Sequence, residues 1–293
     1  KAGHKVLHLQ DPQALAEFAD DKNQNLVLST FGGANSRSRL ALVPALCETF
    51  GIPYVGLDAH GQSICHDKWV TKQIAKDCGL LVPRGHVIRK KSDLQFLQGA
   101  DFPLMVKPLT EGSSIGISQD SIVYDAPSLE LQVGKLLKQF SSSVLAEAFV
   151  RGREVAYCAI SGASPEEIGV RSFNEIAVRG DAGYFEDRVW SANEKKRKLT
   201  DRYVRSIDSE LGEKDRAALE RLLLALGDYG YIRIDGRLHK GRFYFIEATP
   251  DAYLGPQGQV AQGFMNAGWS YPEVLEAILQ TARSRLHGQP AID

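Results

Sequence analysis

The chain has little cysteine and no long apolar run, and these two absences exclude several classes of protein. Its 293 residues include four widely spaced cysteines and no CxxC pair, so a disulfide-stapled secreted scaffold is not expected. No stretch of about 18 apolar residues that could cross a bilayer is present, and no apolar leader follows the basic start. We therefore expect a cytoplasmic protein with no membrane partner.

An excess of charge of either sign is also missing. The 35 basic and 36 acidic residues leave a net charge of −1, so no whole-molecule field attracts a polynucleotide, and no nucleic-acid partner is expected. The seven histidines form no HExxH pair and no serine lies in GxSxG, which argues against a zinc enzyme and a serine hydrolase. The remaining composition, 43% hydrophobic and 24% charged, is typical of a globular protein of about two domains.

The first part of the chain has an α/β pattern. A short apolar run, Leu26–Thr30, ends in a glycine-containing turn, an apolar-periodic stretch covers Leu40–Phe50, and Tyr54–Leu57 is a second strand candidate. This order predicts a small layer with parallel strands over residues 1 to about 62.

The region from Pro103 to Val123 has the pattern of a glycine-rich hairpin. The strand Leu104–Lys107 leads into the polar loop Glu111–Ser114, and Ile115–Ile117 has strand character again. Exposed backbone N–H groups in such a loop can close over a polyphosphate. A plain turn and an exposed strand lysine are the alternatives for the loop and for Lys107.

Capping residues mark two helix starts. Asp67 has the side chain of an N-cap for a helix that continues through Asp77, and Ser270 and Glu273 have the spacing of a capping box. Residues 180–202 hold the densest charge in the chain, so we expect an exposed loop there.

Two alternating runs in the last third of the chain carry acidic residues. Because side chains in a strand point to opposite faces in turn, Arg233 and Asp235 share one face of the first run, while Phe243, Phe245 and Glu247 share one face of the second. Antiparallel pairing would bring the two carboxylates together as hard oxygen ligands for Mg²⁺. Ordinary acidic strand ends are the alternative.

Taken in this order, the elements resemble the ATP-grasp superfamily, and most closely its D-alanine–D-alanine ligase branch. The resemblance covers almost the whole chain and is carried by Gly51–Gly56, His66–Lys72, Val106–Pro108, Glu111–Ser118, Gly152–Glu154 and Gly230–Asp235. It implies an ATP-grasp fold, α/β and α+β multidomain, with an N-terminal Rossmann-like (pre-ATP-grasp) domain over residues 1–64. A central lid subdomain would cover 65–146, and a C-terminal subdomain with the Mg-ATP and catalytic site would cover 147–293.

The resemblance also implies roles for individual residues. Nucleotide binding would fall to Lys68, Lys107, Glu111, Ser113, Ser114, Glu147, Phe149, Val150 and Glu154. Catalysis would involve Arg233, Lys107 and Arg188, the last in place of a loop lysine of the dipeptide ligases. Magnesium would be held by Asp235, Glu247 and Thr249, the last at a position where the family usually has asparagine. Such cations suit phosphoryl transfer, which depends on positioning and on charge stabilisation.

The activity implied by the resemblance is that of an ATP- and Mg²⁺-dependent carboxylate–amine ligase. An acyl phosphate of an amino acid or similar small acid would react with an amine to form an amide or peptide bond. The glycine-rich N-terminal loop with an acidic residue that binds the first substrate in D-alanine ligases is missing, and Phe31–Arg37 also lacks the acid. We therefore expect substrates other than those of cell-wall D-alanyl-D-alanine synthesis. A homodimer is expected because related ligases are often dimers.

Two alternatives to this activity stay open. One is a ligase whose acceptor is a thiol or a carrier-protein-tethered amine. The other is a weakly catalytic nucleotide-binding protein, suggested by Thr249 and by the lack of the family's Pro-Gly turn.

The Gly/Ser loop and residues 180–202 are the candidate lids over the intermediate. Arg37 and Arg39 are either ligands of a substrate carboxylate or surface arginines.

Overall fold

The computed structural model describes residues 3–21, 25–33, 36–140, 142–162, 169–181, 183–191 and 201–285. The charge run Glu194–Lys198, expected to be an exposed loop, lies outside the described residues. Within the described ranges, no helix combines the length and the apolar character needed to cross a bilayer.

The N-terminal region is mainly helical. It contains 3-10 turns at Pro12–Asp21 and Arg39–Ala41 and the helices α1 (Leu42–Phe50), α2 (Ala59–His66) and α3 (Lys68–Asp77). In the described residues, the predicted parallel layer is reduced to one bridge between Val27 and Tyr54. The ladder ends there because Gly56, with φ of 106°, turns the chain away two residues later.

A four-stranded antiparallel sheet follows. Its strands are β1 (Gly85–Ile88), β2 (Leu104–Pro108), β3 (Ile122–Val123) and β4 (Val144–Ala148), in the order β1-β4-β2-β3. Helix α4 (Ala126–Phe140) packs on it through buried leucines and valines. The predicted return strand at Ile115–Ile117 is wrong: Ser113, Ser114 and Gly116 have φ of 53°, 61° and 75° and curl the chain into a turn. The hairpin returns through β3 instead.

A larger antiparallel sheet forms the second half of the molecule. Its strands are β5 (Arg153–Ile160), β6 (Val170–Val178), β7 (Arg202–Ser206), β8 (Tyr231–His239) and β9 (Arg242–Thr249), in the order β7-β6-β5-β8-β9. Residues of α2, α3 and α5 (Glu213–Leu226) share a core with one face of this sheet. Helices α6 (Gln259–Asn266) and α7 (Tyr271–Arg285) cover the other face.

A β-bulge between β8 and β9 sets the position of the acidic residues. Asp235 and Glu247 are direct register partners, as predicted, but the next pair is Gly236 with Phe245. The extra residue of β9 interrupts the alternation. Phe243 and Phe245 therefore enter the core, whereas Glu247 points to the cavity described below. The prediction that the three share one face is wrong for this reason.

Both predicted helix caps are confirmed. The Asp67 carboxylate accepts hydrogen bonds from the backbone N–H groups of Trp69 and Val70 at 3.0 and 3.2 Å. The Ser270 N–H donates to Glu273 at 2.6 Å, and the Glu273 N–H donates to the Ser270 hydroxyl at 3.4 Å. The first cap fixes the start of α3, which carries two lysines of the site.

Gly236→Ala tests the dependence of the bulge on glycine. A Cβ at this position would lie 2.3 Å from the Phe243 ring and 2.7 Å from the Tyr244 carbonyl oxygen, so we expect a loss of about 1–3 kcal/mol in the free energy of unfolding. Urea denaturation measures it. Gly134→Ala inside α4 is the control and should gain about 0.5–1 kcal/mol, because its Cβ meets only a flexible lysine at 3.6 Å. Equal stability of Gly236→Ala and wild type would contradict the argument.

Candidate active site

A cavity of about 730 Å³ is lined by residues of both sheets. Most of the predicted site residues lie in this lining: Lys107, Ser113, Ser114, Glu147, Phe149, Val150, Glu154, Arg233, Asp235 and Glu247. The fold therefore brings together positions separated by up to half the chain.

A buried ion triplet lies at one wall of the cavity. The Glu147 carboxylate is 2.8 Å from the Lys107 ammonium and 3.0 Å from the Lys72 ammonium, and all three side chains are at most 3% exposed. Burial by itself would raise the pKa of Glu147, but the two ammonium groups outweigh burial and lower it. Burial lowers the pKa of Lys72 to about 8, against the attraction of Glu147. Lys107 is thereby held in one position facing the cavity.

Sequence reasoning gave Lys72 no role, although a signal was available. Lys68 and Lys72 are four residues apart on α3 and so lie on the same helix face. The Lys68 ammonium is 3.4 Å from the Glu247 carboxylate and also donates to the backbone carbonyl of Glu111. Burial lowers the pKa of Lys68, with Glu247 acting in the opposite direction.

The two carboxylates predicted to bind magnesium lie side by side in the sheet, with Asp235 in the middle of β8 and Glu247 near the end of β9. Burial would raise the pKa of Glu247, but Lys68, Lys107 and Arg233 together lower it to about 2. Arg233 binds Asp235 through two hydrogen bonds of 2.6 and 2.8 Å, and the Thr249 hydroxyl donates to Asp235 at 3.1 Å. Asp235 and Glu247 therefore direct carboxylate oxygens to the same side of the cavity.

This donor set fits magnesium. Mg²⁺ takes hard oxygen ligands from one or two carboxylates and completes its shell with phosphate oxygens and water. Asp235 and Glu247 supply the carboxylates, and the Thr249 hydroxyl lies beside them. In the described part of the chain, no cluster of three His, Cys, Asp or Glu side chains that could hold a metal ion is present.

Arg237 organises the opposite wall and was missed from the sequence. Its guanidinium pairs with Glu154 at 2.9 Å, donates to the Gly152 carbonyl at 2.8 Å and lies 5.3 Å from the centre of the Phe149 ring. It also donates to two carbonyl groups of the loop at residues 185–188. The alternation of β8 indicates it, because Arg233, Asp235 and Arg237 follow with period two.

Some predicted residues lie outside the cavity lining. Glu111 binds Arg39 at 2.9 Å, and Arg37 binds Asp67 at 2.7 Å. The Arg188 guanidinium stacks over Tyr184 at 4.4 Å and does not line the cavity. Arg202, which sequence reasoning did not select, lines it instead. Lys68 and Thr249 are not part of the lining, but they contact two residues that are, Glu247 and Asp235 respectively.

Comparison with known proteins identifies the family of the chain. The profile of the family described as "D-ala D-ala ligase C-terminus" matches residues 79–280, more than two thirds of the chain. The chain belongs to this family.

Two relatives show the extent of the likeness. A D-alanine–D-alanine ligase of Bacillus anthracis is 27% identical over 246 residues, which cover 82% of this chain and 74% of the relative. The vancomycin/teicoplanin A-type resistance protein VanA of Enterococcus faecium is 28% identical over 245 residues, covering 82% and 68%.

Solved structures of family members show the same fold. The D-alanine–D-alanine ligase of Bacillus anthracis complexed with ATP has a TM-score of 0.72 at 23% identity and covers 95% of this chain and 85% of its own. The VanG D-Ala:D-Ser ligase of Enterococcus faecalis has a TM-score of 0.68 at 20% identity, covering 88% and 72%.

Membership of the D-Ala–D-Ala ligase family confirms several predictions. The ATP-grasp fold, the class of ATP-dependent ligase that forms carbon–nitrogen bonds, and ATP and Mg²⁺ as cofactors are confirmed. The domain bounds, the homodimer and the roles of single residues stay predictions.

Glu147→Gln tests the buried triplet. It removes the ion-pair partner of two buried ammonium groups, so we expect a loss of about 3 kcal/mol in the free energy of unfolding near neutral pH. Because the folded pKa of Glu147 is lowered, the wild type loses this stabilisation as the pH falls below the ordinary value of about 4.5. The difference between wild type and variant should narrow there, as measured by urea denaturation at several pH values.

The matched control for this variant is Glu130→Gln. Glu130 pairs with Lys91 at 3.6 Å on the surface, with both side chains more than half exposed, so its loss should change stability by less than about 1 kcal/mol. A Glu147→Gln variant as stable as this control would contradict the interpretation.

Proposed function

We propose that this chain activates a small carboxylic acid, an amino acid in the first instance, with ATP and joins it to an amine. The observation that carries the proposal is the convergence of Lys68, Lys107 and Arg233 on the Asp235–Glu247 pair beside the Gly/Ser loop. This is a site built to stabilise negative charge on transferring phosphoryl groups.

Each cation is held in place by a protein carboxylate. Glu147 orients Lys107, Asp235 orients Arg233, and Glu247 orients Lys68. Fixed cations stabilise developing charge without reorganising at the moment of reaction. Asp235, Glu247 and Thr249 would hold magnesium, which neutralises charge on phosphate oxygens.

The lining suits direct transfer to the substrate rather than to the protein. Among the described residues that line the cavity there is no cysteine and no histidine, and burial raises the pKa of the nearby Cys158 thiol to about 12. In the proposed reaction a substrate carboxylate oxygen bonds to the γ-phosphorus as ADP leaves. The amine nitrogen then bonds to the acyl carbon, phosphate leaves, and the amine loses a proton.

The two predicted lids contact each other at the cavity. The Ser114 hydroxyl of the Gly/Ser loop donates to the Trp190 carbonyl at 2.9 Å. Beyond that loop, the Gln119 amide donates to the Val189 carbonyl at 3.0 Å. An acyl phosphate needs protection from water. These contacts support the proposal that the Gly/Ser loop and the loop at residues 183–191 exclude solvent together.

The identity of the acid and of the amine is the more specific part of the proposal. Relatives are named as D-alanine–D-alanine ligases, and one neighbour is named as a D-Ala:D-Ser ligase. The expectation that this chain does not make D-alanyl-D-alanine rests on the missing acidic loop alone and stays a prediction. D-Alanine therefore belongs in the substrate panel beside other amino acids and small acids.

Phosphate release from MgATP should require one acid together with one amine. We expect a product lighter by one water than the sum of the pair, detected by mass spectrometry. Arg233→Ala should lower kcat by about 100-fold or more, because it removes a fixed charge stabiliser. A product of D-alanine with itself would overturn the expectation about substrates but not the ligase proposal. Nucleotide binding without turnover across the panel would overturn the proposal.

Substitution of Thr249 tests its place among the metal ligands. Thr249→Val removes the hydroxyl at nearly constant volume, so we expect the Mg²⁺ concentration for half-maximal turnover to rise about tenfold, while Thr249→Ser retains the wild-type value. If Val and Ser behave alike, the hydroxyl is not a ligand. Thr249→Asn supplies an amide oxygen, and a large gain in kcat with it would favour the alternative of a weakly catalytic nucleotide-binding protein.

A further inference from the structure

The cations that line the cavity differ in their partners. Lys107 is paired with Glu147, Arg233 with Asp235, and Arg237 with Glu154. Arg202 also lines the cavity, but within the described ranges no carboxylate lies in ion-pair distance of its guanidinium. No carboxylate of the described residues therefore balances the positive charge of Arg202, which lies beside the cavity that we propose for the nucleotide.

An aromatic ring holds this guanidinium in place. Arg202 begins β7, where it pairs with Val178 of β6, and its guanidinium lies 5.1 Å from the centre of the Trp190 ring. Burial lowers its pKa, although an arginine stays charged at neutral pH. Stacking on an aromatic face orients a guanidinium without neutralising it, so its hydrogen-bond donors remain available for an anion.

Trp190 also connects Arg202 to the Gly/Ser loop. The Trp190 carbonyl accepts the hydrogen bond from the Ser114 hydroxyl at 2.9 Å. Ser113, Ser114 and Trp190 all line the cavity with Arg202, and both serines have left-handed φ values. The Arg202 guanidinium thus lies on the same side of the cavity as the Gly/Ser loop, which we expect to cover the phosphates.

We propose that Arg202 binds the terminal phosphates of the nucleotide. It supplies the positive charge that the family resemblance led us to expect from Arg188. The inference rests on the proposed function. The planar guanidinium can donate two parallel hydrogen bonds to phosphate oxygens. Arg188 is turned away onto Tyr184, whereas Arg202 faces the cavity.

Calorimetric binding of ATP, ADP and AMP by the intact chain tests the proposal without any need for the acid or the amine. Arg202→Ala should weaken ATP binding about tenfold or more, because a charge-assisted hydrogen bond is lost, and should change AMP binding less than threefold. Arg202→Lys should recover part of the ATP affinity, since it keeps the charge but loses the planar pair of donors.

Arg179→Ala is the matched control. Arg179 directly follows β6, and its guanidinium lies at the same 5.1 Å from the centre of an aromatic ring, that of Tyr203. Arg179 is exposed and does not line the cavity. It should bind all three nucleotides as the wild type does.

Two results would overturn the proposal. Unchanged ATP affinity in Arg202→Ala would show that the guanidinium does not reach the phosphates. An equal loss for ATP and AMP would point to a structural or base-facing role. By contrast, a wild type that binds none of the nucleotides would overturn the proposed function itself.

Discussion

The bulged antiparallel pairing of β8 and β9 is the constraint on which the site depends. It places the carboxylates of Asp235 and Glu247 opposite each other. The extra residue of β9 at the bulge then directs the Phe245 side chain into the core. The same two strands therefore anchor the sheet through buried aromatic rings and present carboxylate oxygens to the cavity. Because one register slip would exchange the two faces, stability and the geometry of the acidic pair are coupled in this hairpin.

Charge compensation governs the rest of the cavity. Burying an isolated charge is costly, and each buried ionic group needs a partner with good geometry. The triplet of Lys72, Glu147 and Lys107 meets this condition with all three side chains nearly inaccessible to water. It also links α3 to β2 and β4, so the orientation of a cavity-facing lysine depends on a helix that packs on the other sheet.

Two departures from the family pattern concern residues expected to bind phosphate and metal. Thr249 stands where the family usually has asparagine and contacts Asp235. Among the described residues 183–191, where a loop lysine of the dipeptide ligases is expected, no lysine lines the cavity. An arginine stacked on Trp190 is present at that wall instead. Elsewhere in the same lining, Arg237 contacts both Phe149 and Glu154.

Local patterns in the sequence determined much of this molecule. The caps at Asp67 and Ser270 follow from hydrogen bonds within a few residues, and the ordered motifs indicated the fold and the cofactors. Only the tertiary structure decided which arginine faces the cavity and where the bulge reverses the alternation of side chains after Phe245. It also decided that Lys72 and Lys107 share the Glu147 carboxylate. The physical reason is that these features depend on contacts between segments far apart in the chain, where packing and the pairing of buried charges select one of several locally equivalent arrangements.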